Sequence, residues 1–160
     1  MKKISWKKGL FSSTYKLYDD NNKVGEFRQS AFSRSSVGNI NGTQLTFKKK
    51  GVFSSETEVR DMNSNEFIGT IKFNSWGNKA EITVDQKKYQ WKYDNFWSTR
   101  WRVSENQQPL ITYKSSTTKG KIESSVDSDV LLLCGLFVHN HYLTLMIVIT
   151  VSTAVILSGS

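Results

Sequence analysis

Residues 130–157 read VLLLCGLFVHNHYLTLMIVITVSTAVIL, 28 residues without one Asp, Glu, Lys or Arg. A run of this length is enough to cross a bilayer, which takes roughly 20 residues. A helix buried on all sides within a protein is equally apolar all round. As one helix the run measures about 42 Å, against about 30 Å of bilayer hydrocarbon. The polar His139, Asn140 and His141 interrupt it halfway. The pattern predicts a hydrophobic C-terminal helix over residues 128–157, with its first part, to about Tyr142, plugging a fold. The remainder, residues 143–157, is heavy in β-branched side chains and weak in helical preference. It either continues the helix, forms a strand or enters a membrane.

The flanks favour the plug. Ser128 and Asp129 suit an N-cap and first turn, and the carboxylates of Asp127 and Asp129 suit the positive end of a helix. A membrane span is normally bordered by Lys or Arg on its cytoplasmic side, and here the nearest lysine is Lys121. The run holds no Trp and one Tyr, so it brings little of an interfacial aromatic belt.

Outward from this segment, residues 10–125 read as short strands and polar turns. In KYQWKY, residues 88–93, the aromatics Tyr89, Trp91 and Tyr93 share one face while Lys88, Gln90 and Lys92 share the other. The stretch repeats itself. FSSTYKL (11–17), FSSETEV (53–59) and WSTRWRV (97–103) align at offsets of 42 and 44 residues. The match continues across the next turn, from LYDDNNKVG (17–25) to VRDMNSNEFIG (59–69); VSENQQPLI (103–111) keeps the logic without the glycine. Three units of about four strands give about twelve. Closing such a sheet into a barrel removes its edges. A barrel that wide is not filled by its own side chains, so the apolar segment is the candidate filling. The fold expected is a single domain over residues 1–160: a mainly β, closed antiparallel barrel of about twelve strands around a central hydrophobic C-terminal helix.

The recurring units at residues 15–25 and 57–69, with the closing DSDVLLLCGLFV at 127–138, resemble the tubby C-terminal-like superfamily, in particular its LURP-one-related and phospholipid-scramblase-like branch. The resemblance covers nearly the whole chain through diffuse motifs. It implies a twelve-strand closed barrel around a central hydrophobic helix, and association with membranes. Tubby proteins bind phosphoinositides through basic barrel residues, and scramblases are linked to lipid movement and calcium. No set of lipid-contacting residues carries over position by position.

Charge points the same way. The first 121 residues carry 22 basic and 11 acidic side chains, a surplus of 11 positive charges, and the rest holds three acidic and no basic ones. A basic body suits an anionic lipid surface or nucleic acid. No nucleic-acid motif is present, so that partner is not expected; a protein partner remains open. The clusters Lys2-Lys3, Lys7-Lys8, Lys48-Lys49-Lys50, Lys87-Lys88 with Lys92, and Arg100 with Arg102 are the candidate lipid-binding residues. Trp6 and Phe11 interleave with the first of them, a pattern suited to an anionic membrane. The bland alternative is turn and strand lysines that keep the sheet soluble.

Chemistry is not expected. His139 and His141 stand two apart on a helix, so they point to different faces and do not share a metal; the sequence sets them at the barrel mouth, where the helix meets water. Cys134, the single cysteine, reads as a buried small hydrophobe, and Gly135 beside it as room for a large aromatic. Trp91 and Trp101 read as inward-facing against the plug. No Gly-rich phosphate loop or catalytic triad pattern occurs. The expectation is a protein without enzymatic activity or cofactor. One cysteine and no secretory signal fit a reducing, cytoplasmic setting, with the barrel peripheral to or anchored in a membrane. A tail-anchored protein or a scramblase-like lipid mover is the alternative.

Overall fold

The computed structural model describes residues 1–29, 35–51 and 54–159. Twelve antiparallel strands close into one barrel: β1 (Lys2–Lys7), β2 (Thr14–Asp19), β3 (Asn22–Gln29), β4 (Ser35–Ile40), β5 (Thr43–Lys49), β6 (Glu56–Asp61), β7 (Phe67–Phe73), β8 (Lys79–Val84), β9 (Lys87–Tyr93), β10 (Arg100–Glu105), β11 (Gln108–Ser115) and β12 (Lys119–Ser124). Consecutive strands pair, and β1 pairs with β12 to close the ring. A single helix, α1 (Asp129–Ser158), follows.

The sequence repeats are real in space, with one correction. The strands do not start at residue 10: Lys2–Lys7 is already a barrel strand, so the third unit, β10 to β12, takes its fourth strand from the N-terminus. Local alternation identifies β1 weakly because only Ile4 and Trp6 mark its inward face. Each unit carries a register shift at the aligned position, between Leu17 and Tyr18, Val59 and Arg60, and Val103 and Ser104. Such bulges bend a strand and raise its twist, which a closing sheet requires. Opposite two of them stand Gly25 and Gly69; a Cβ at either would collide with the backbone carbonyl of Asn39 or Thr83. The third unit has Ile111 there, fully buried.

The barrel is filled by the first half of α1. Ser128 caps the helix, its hydroxyl accepting from the Leu131 N–H, and Lys2 pairs with Asp129 at 2.5 Å. Residues Leu131 to Tyr142 are all buried. Trp91 donates its indole N–H to the Gly135 carbonyl at 3.0 Å, and Tyr113 donates to the Leu132 carbonyl at 3.1 Å. Gly135 lets Tyr113 approach: a Cβ there would meet the phenol. Phe137 stacks on Phe47 at 4.6 Å, and Cys134 is fully buried.

The second half of α1 continues the helix instead of turning into a strand. Once a capped and packed nucleus exists, propagation adds one hydrogen bond per residue, and weak propensity is no obstacle. Thr150 and Thr153 bond back to the carbonyls of Met146 and Ile149. From Thr144 onward every described residue of the helix is exposed.

Candidate membrane interface

The two ends of the barrel differ because antiparallel strands send alternate connections to opposite ends. At the closed end, where α1 begins, the turns are tight and polar. Asn41-Gly42, Asp85-Gln86 and Asn106-Gln107 each have both residues at positive φ. This is the geometry of two-residue hairpins whose twist matches that of the strands. At the exit end, where α1 leaves, the connections are longer. They carry Leu10, Phe11, Trp76, Phe96 and Trp97, which are 61%, 97%, 88%, 91% and 79% exposed. Phe11 and Trp97 occupy the same position of the repeat; Phe53, their third counterpart, lies outside the described residues.

These loops are pinned. Asn74 Oδ1 accepts from the backbone N–H groups of Asn78 and Lys79, holding the loop of Trp76. Asn95 Oδ1 does the same for Thr99 and Arg100, holding Phe96 and Trp97. The Tyr142 hydroxyl donates to the Lys79 carbonyl and ties the last buried turn of α1 to the rim. Beyond it, Leu145, Ile147, Ile149, Val151, Ile156 and Leu157 stand exposed. Among the described residues α1 is the helix long and apolar enough to cross a membrane. The part beyond its last buried turn, residues 143–158, reaches about 24 Å from the rim.

The histidines differ from expectation in exposure. Both are buried in the last turns inside the barrel, not set in water. His139 stacks on Trp101 at 3.7 Å and hydrogen-bonds the Tyr93 hydroxyl through Nδ1 at 3.0 Å. His141 stacks on Phe73 at 4.0 Å. The aromatic side chains of the wall exclude water there. Burial, with the Lys8 charge adding to it, pushes the His139 pKa down to about 3. Burial and Lys49 bring His141 to about 4. They face different walls. Among the described residues no group of three His, Cys, Asp or Glu could hold a metal ion.

The expected basic residues divide between the ends. Lys7, Lys8, Lys48, Lys49, Lys50, Lys92, Arg100 and Arg102 fall in the exit half; Lys48 and Lys49 close strand β5 rather than forming a turn. Lys2, Lys3, Lys87 and Lys88 belong to the closed end, where Lys2 serves the helix start and Lys88 pairs with Glu81 at 3.2 Å. Sequence reading missed Lys79, Lys114, Lys119 and Lys121, single lysines in outward positions of strands.

Cross-strand register shows what they form. Lys7 faces Lys16 on one side and Lys119 on the other. Lys114 faces both Arg100 and Lys121, and Lys92 faces both Lys79 and Arg102. Like charges placed directly opposite are destabilising. Asp94, 3.2 Å from Arg102, relieves one of them. The rest of the wall alternates: Lys48 faces Glu58, and Lys72 faces Glu56 and Glu81. One sector, from β8 through β12 to β2, thus brings cations opposite one another towards the exit end. Lys7, Lys114, Lys119 and Lys121 line a groove of about 320 Å³ there.

No family model, curated protein or solved structure matches this chain.

Proposed function

We propose that this chain is a membrane-docking barrel, without catalysis of its own, that stands on an anionic lipid surface with residues 143–158 of α1 inserted. The observation that carries the reading is the change of surroundings at Tyr142 within one continuous apolar helix. Exposed aliphatic side chains on this scale mark an interaction with something apolar. The aromatic ring of the rim lies where an interfacial belt belongs, and the cationic sector lies beside it, where each Lys or Arg gains about 1 kcal/mol from an anionic leaflet. The emerging length, about 24 Å, takes the helix past the bilayer midplane. The closed barrel around a central helix also supports the tubby-like reading of residues 15–25, 57–69 and 127–138, with the barrel on the reducing side of the membrane.

Flotation of the full chain with vesicles tests this. The chain is expected to float with vesicles containing anionic lipid, more weakly with neutral ones, and to resist removal by high salt because the helix is inserted. A chain that stays monomeric, folded and unbound in detergent-free buffer beside anionic vesicles defeats the proposal.

A further inference from the structure

A crevice of about 530 Å³ opens at the exit rim directly against α1. It lies between the end of β1 and the connections of β9–β10 and β11–β12, and Leu143, the first residue of the emerging helix, forms one side. Its polar lining is the hydroxyls of Ser98, Thr99, Ser115, Ser116 and Thr117, with the Tyr15 and His139 rings beside them. Its one cation is Lys8, whose ammonium sits 5.1 Å from the centre of the Tyr15 ring. Among the described residues no carboxylate lies within ion-pair distance of it. Lys8 is half-buried, which also lowers its pKa from the ordinary lysine value, so among the described residues the crevice holds a positive charge without a counter-charge.

The lining is preorganised. The Thr99 hydroxyl accepts from the Asn95 side-chain amide at 2.7 Å, which leaves its proton free to donate. Ser98 is held at φ 56 within the same pinned loop. The Lys8 N–H donates to the Thr118 carbonyl at 2.8 Å, fixing the β1 end against the β11–β12 connection. One cation among several hydroxyls matches one phosphodiester; charge-assisted bonds of this kind are the strong ones. The aliphatic side at Leu143 and the Trp97 ring have no use for a soluble ion, but they match the glycerol and first methylenes of a lipid.

We propose that this crevice holds the phosphate of a single anionic phospholipid, on Lys8 and the rim hydroxyls, with its acyl chains along the emerging helix. The proposal rests on the membrane reading above, because it takes the crevice to lie at headgroup level.

The test uses the purified full chain in a non-ionic detergent, with native mass spectrometry to count retained lipid. The probes are phosphatidylglycerol, phosphatidylcholine, the soluble headgroup glycerophosphoglycerol, and inorganic phosphate. One phosphatidylglycerol is expected to remain on the chain. Lys8→Ala is expected to cut retention at least tenfold, Lys8→Arg to keep it, and Lys23→Ala, at the closed end where β3 starts, to change nothing. Equal retention by Lys8→Ala, or retention of phosphatidylcholine as strong as that of phosphatidylglycerol, overturns the proposal. Displacement of the lipid by equimolar inorganic phosphate or glycerophosphoglycerol also overturns it, and makes the site one for a free phosphate ester. The micelle measurement does not require insertion. Failure of the wild type to float on vesicles therefore counts against the membrane reading, while flotation of Lys8→Ala with lost retention isolates the crevice.

Discussion

Residues 131–142 and residues 144–157 of α1 are both apolar stretches of one helix, yet the first is buried within the barrel and the second is bare. Composition does not separate them. What separates them is that the strands end: twelve strands of six to eight residues enclose only so much of a helix. The first half has partners shaped for it, with Trp91 on the Gly135 carbonyl and Tyr113 where a Cβ is missing. The side chains of the second half stand exposed instead, most of them aliphatic and interchangeable. Packing in a core is specific, whereas an exposed face is not, so substitutions in the two halves must fail differently.

The sharpest contrast comes from one carboxylate placed in each half. Val138→Asp buries an unpaired charge in the core and is expected to cost about 4 kcal/mol of stability; urea unfolding of the detergent-solubilised chain measures it. A smaller and reversible version comes from acid. His139 titrates at about 3 in the folded chain, because of burial and the nearby Lys8, and near 6.5 when unfolded. The unfolded chain therefore binds the proton first. Stability from this group is complete above about pH 6.5 and falls as the pH drops towards 3, with about 3 kcal/mol gone by pH 4. His139→Phe is expected to flatten that slope in unfolding curves run from pH 7 to pH 4.

Val148→Asp, in the bare half, is expected to leave the thermal midpoint in detergent unchanged. It should weaken vesicle partition by about 3 kcal/mol, the cost of an Asp in the middle of an inserted helix, or roughly 100-fold. If it unfolds the barrel instead, the two halves are one cooperative core and the comparison collapses. Gly135→Ala probes the fit of the plug. Its new methyl meets the Tyr113 ring and is expected to cost about 2 kcal/mol, part of it recovered by Tyr113→Phe in the same chain. The smallest effect belongs to the closed end. Lys2→Ala breaks the pair with Asp129 and should lower stability by about 1 kcal/mol, with vesicle binding unchanged.

Much of the architecture is legible in the chain. The offsets of 42 and 44 residues between Leu17, Val59 and Val103 place three equivalent bulges, and alternation within KYQWKY turns Trp91 inward. Ser128 and Asp129 mark where the helix starts. β1 escaped because two inward residues among lysines give little alternation, and its partner β12 lies at the other end of the chain. The candidate interface is less legible. Clusters of adjacent lysines stand out in sequence, but adjacent residues on a strand point to opposite faces. The sector that concentrates charge is instead built from residues such as Lys7, Lys114 and Lys119, distant in the chain and opposite in register. Exposed aromatics come instead from Phe11, Trp76 and Trp97, in loops that only an antiparallel barrel gathers at one end.

By itself the sequence determined the periodicities: strands with two faces, a threefold repeat that calls for closure, and a long apolar helix with a capped start. These are local or repeating properties, fixed by side chains close to one another in the chain. Only the tertiary structure decided where the barrel wall stops along the helix, which loops share an end with its bare half, and which lysines face one another. These depend on strand length, closure and register, and so on residues more than a hundred positions apart, such as Lys7 and Lys119.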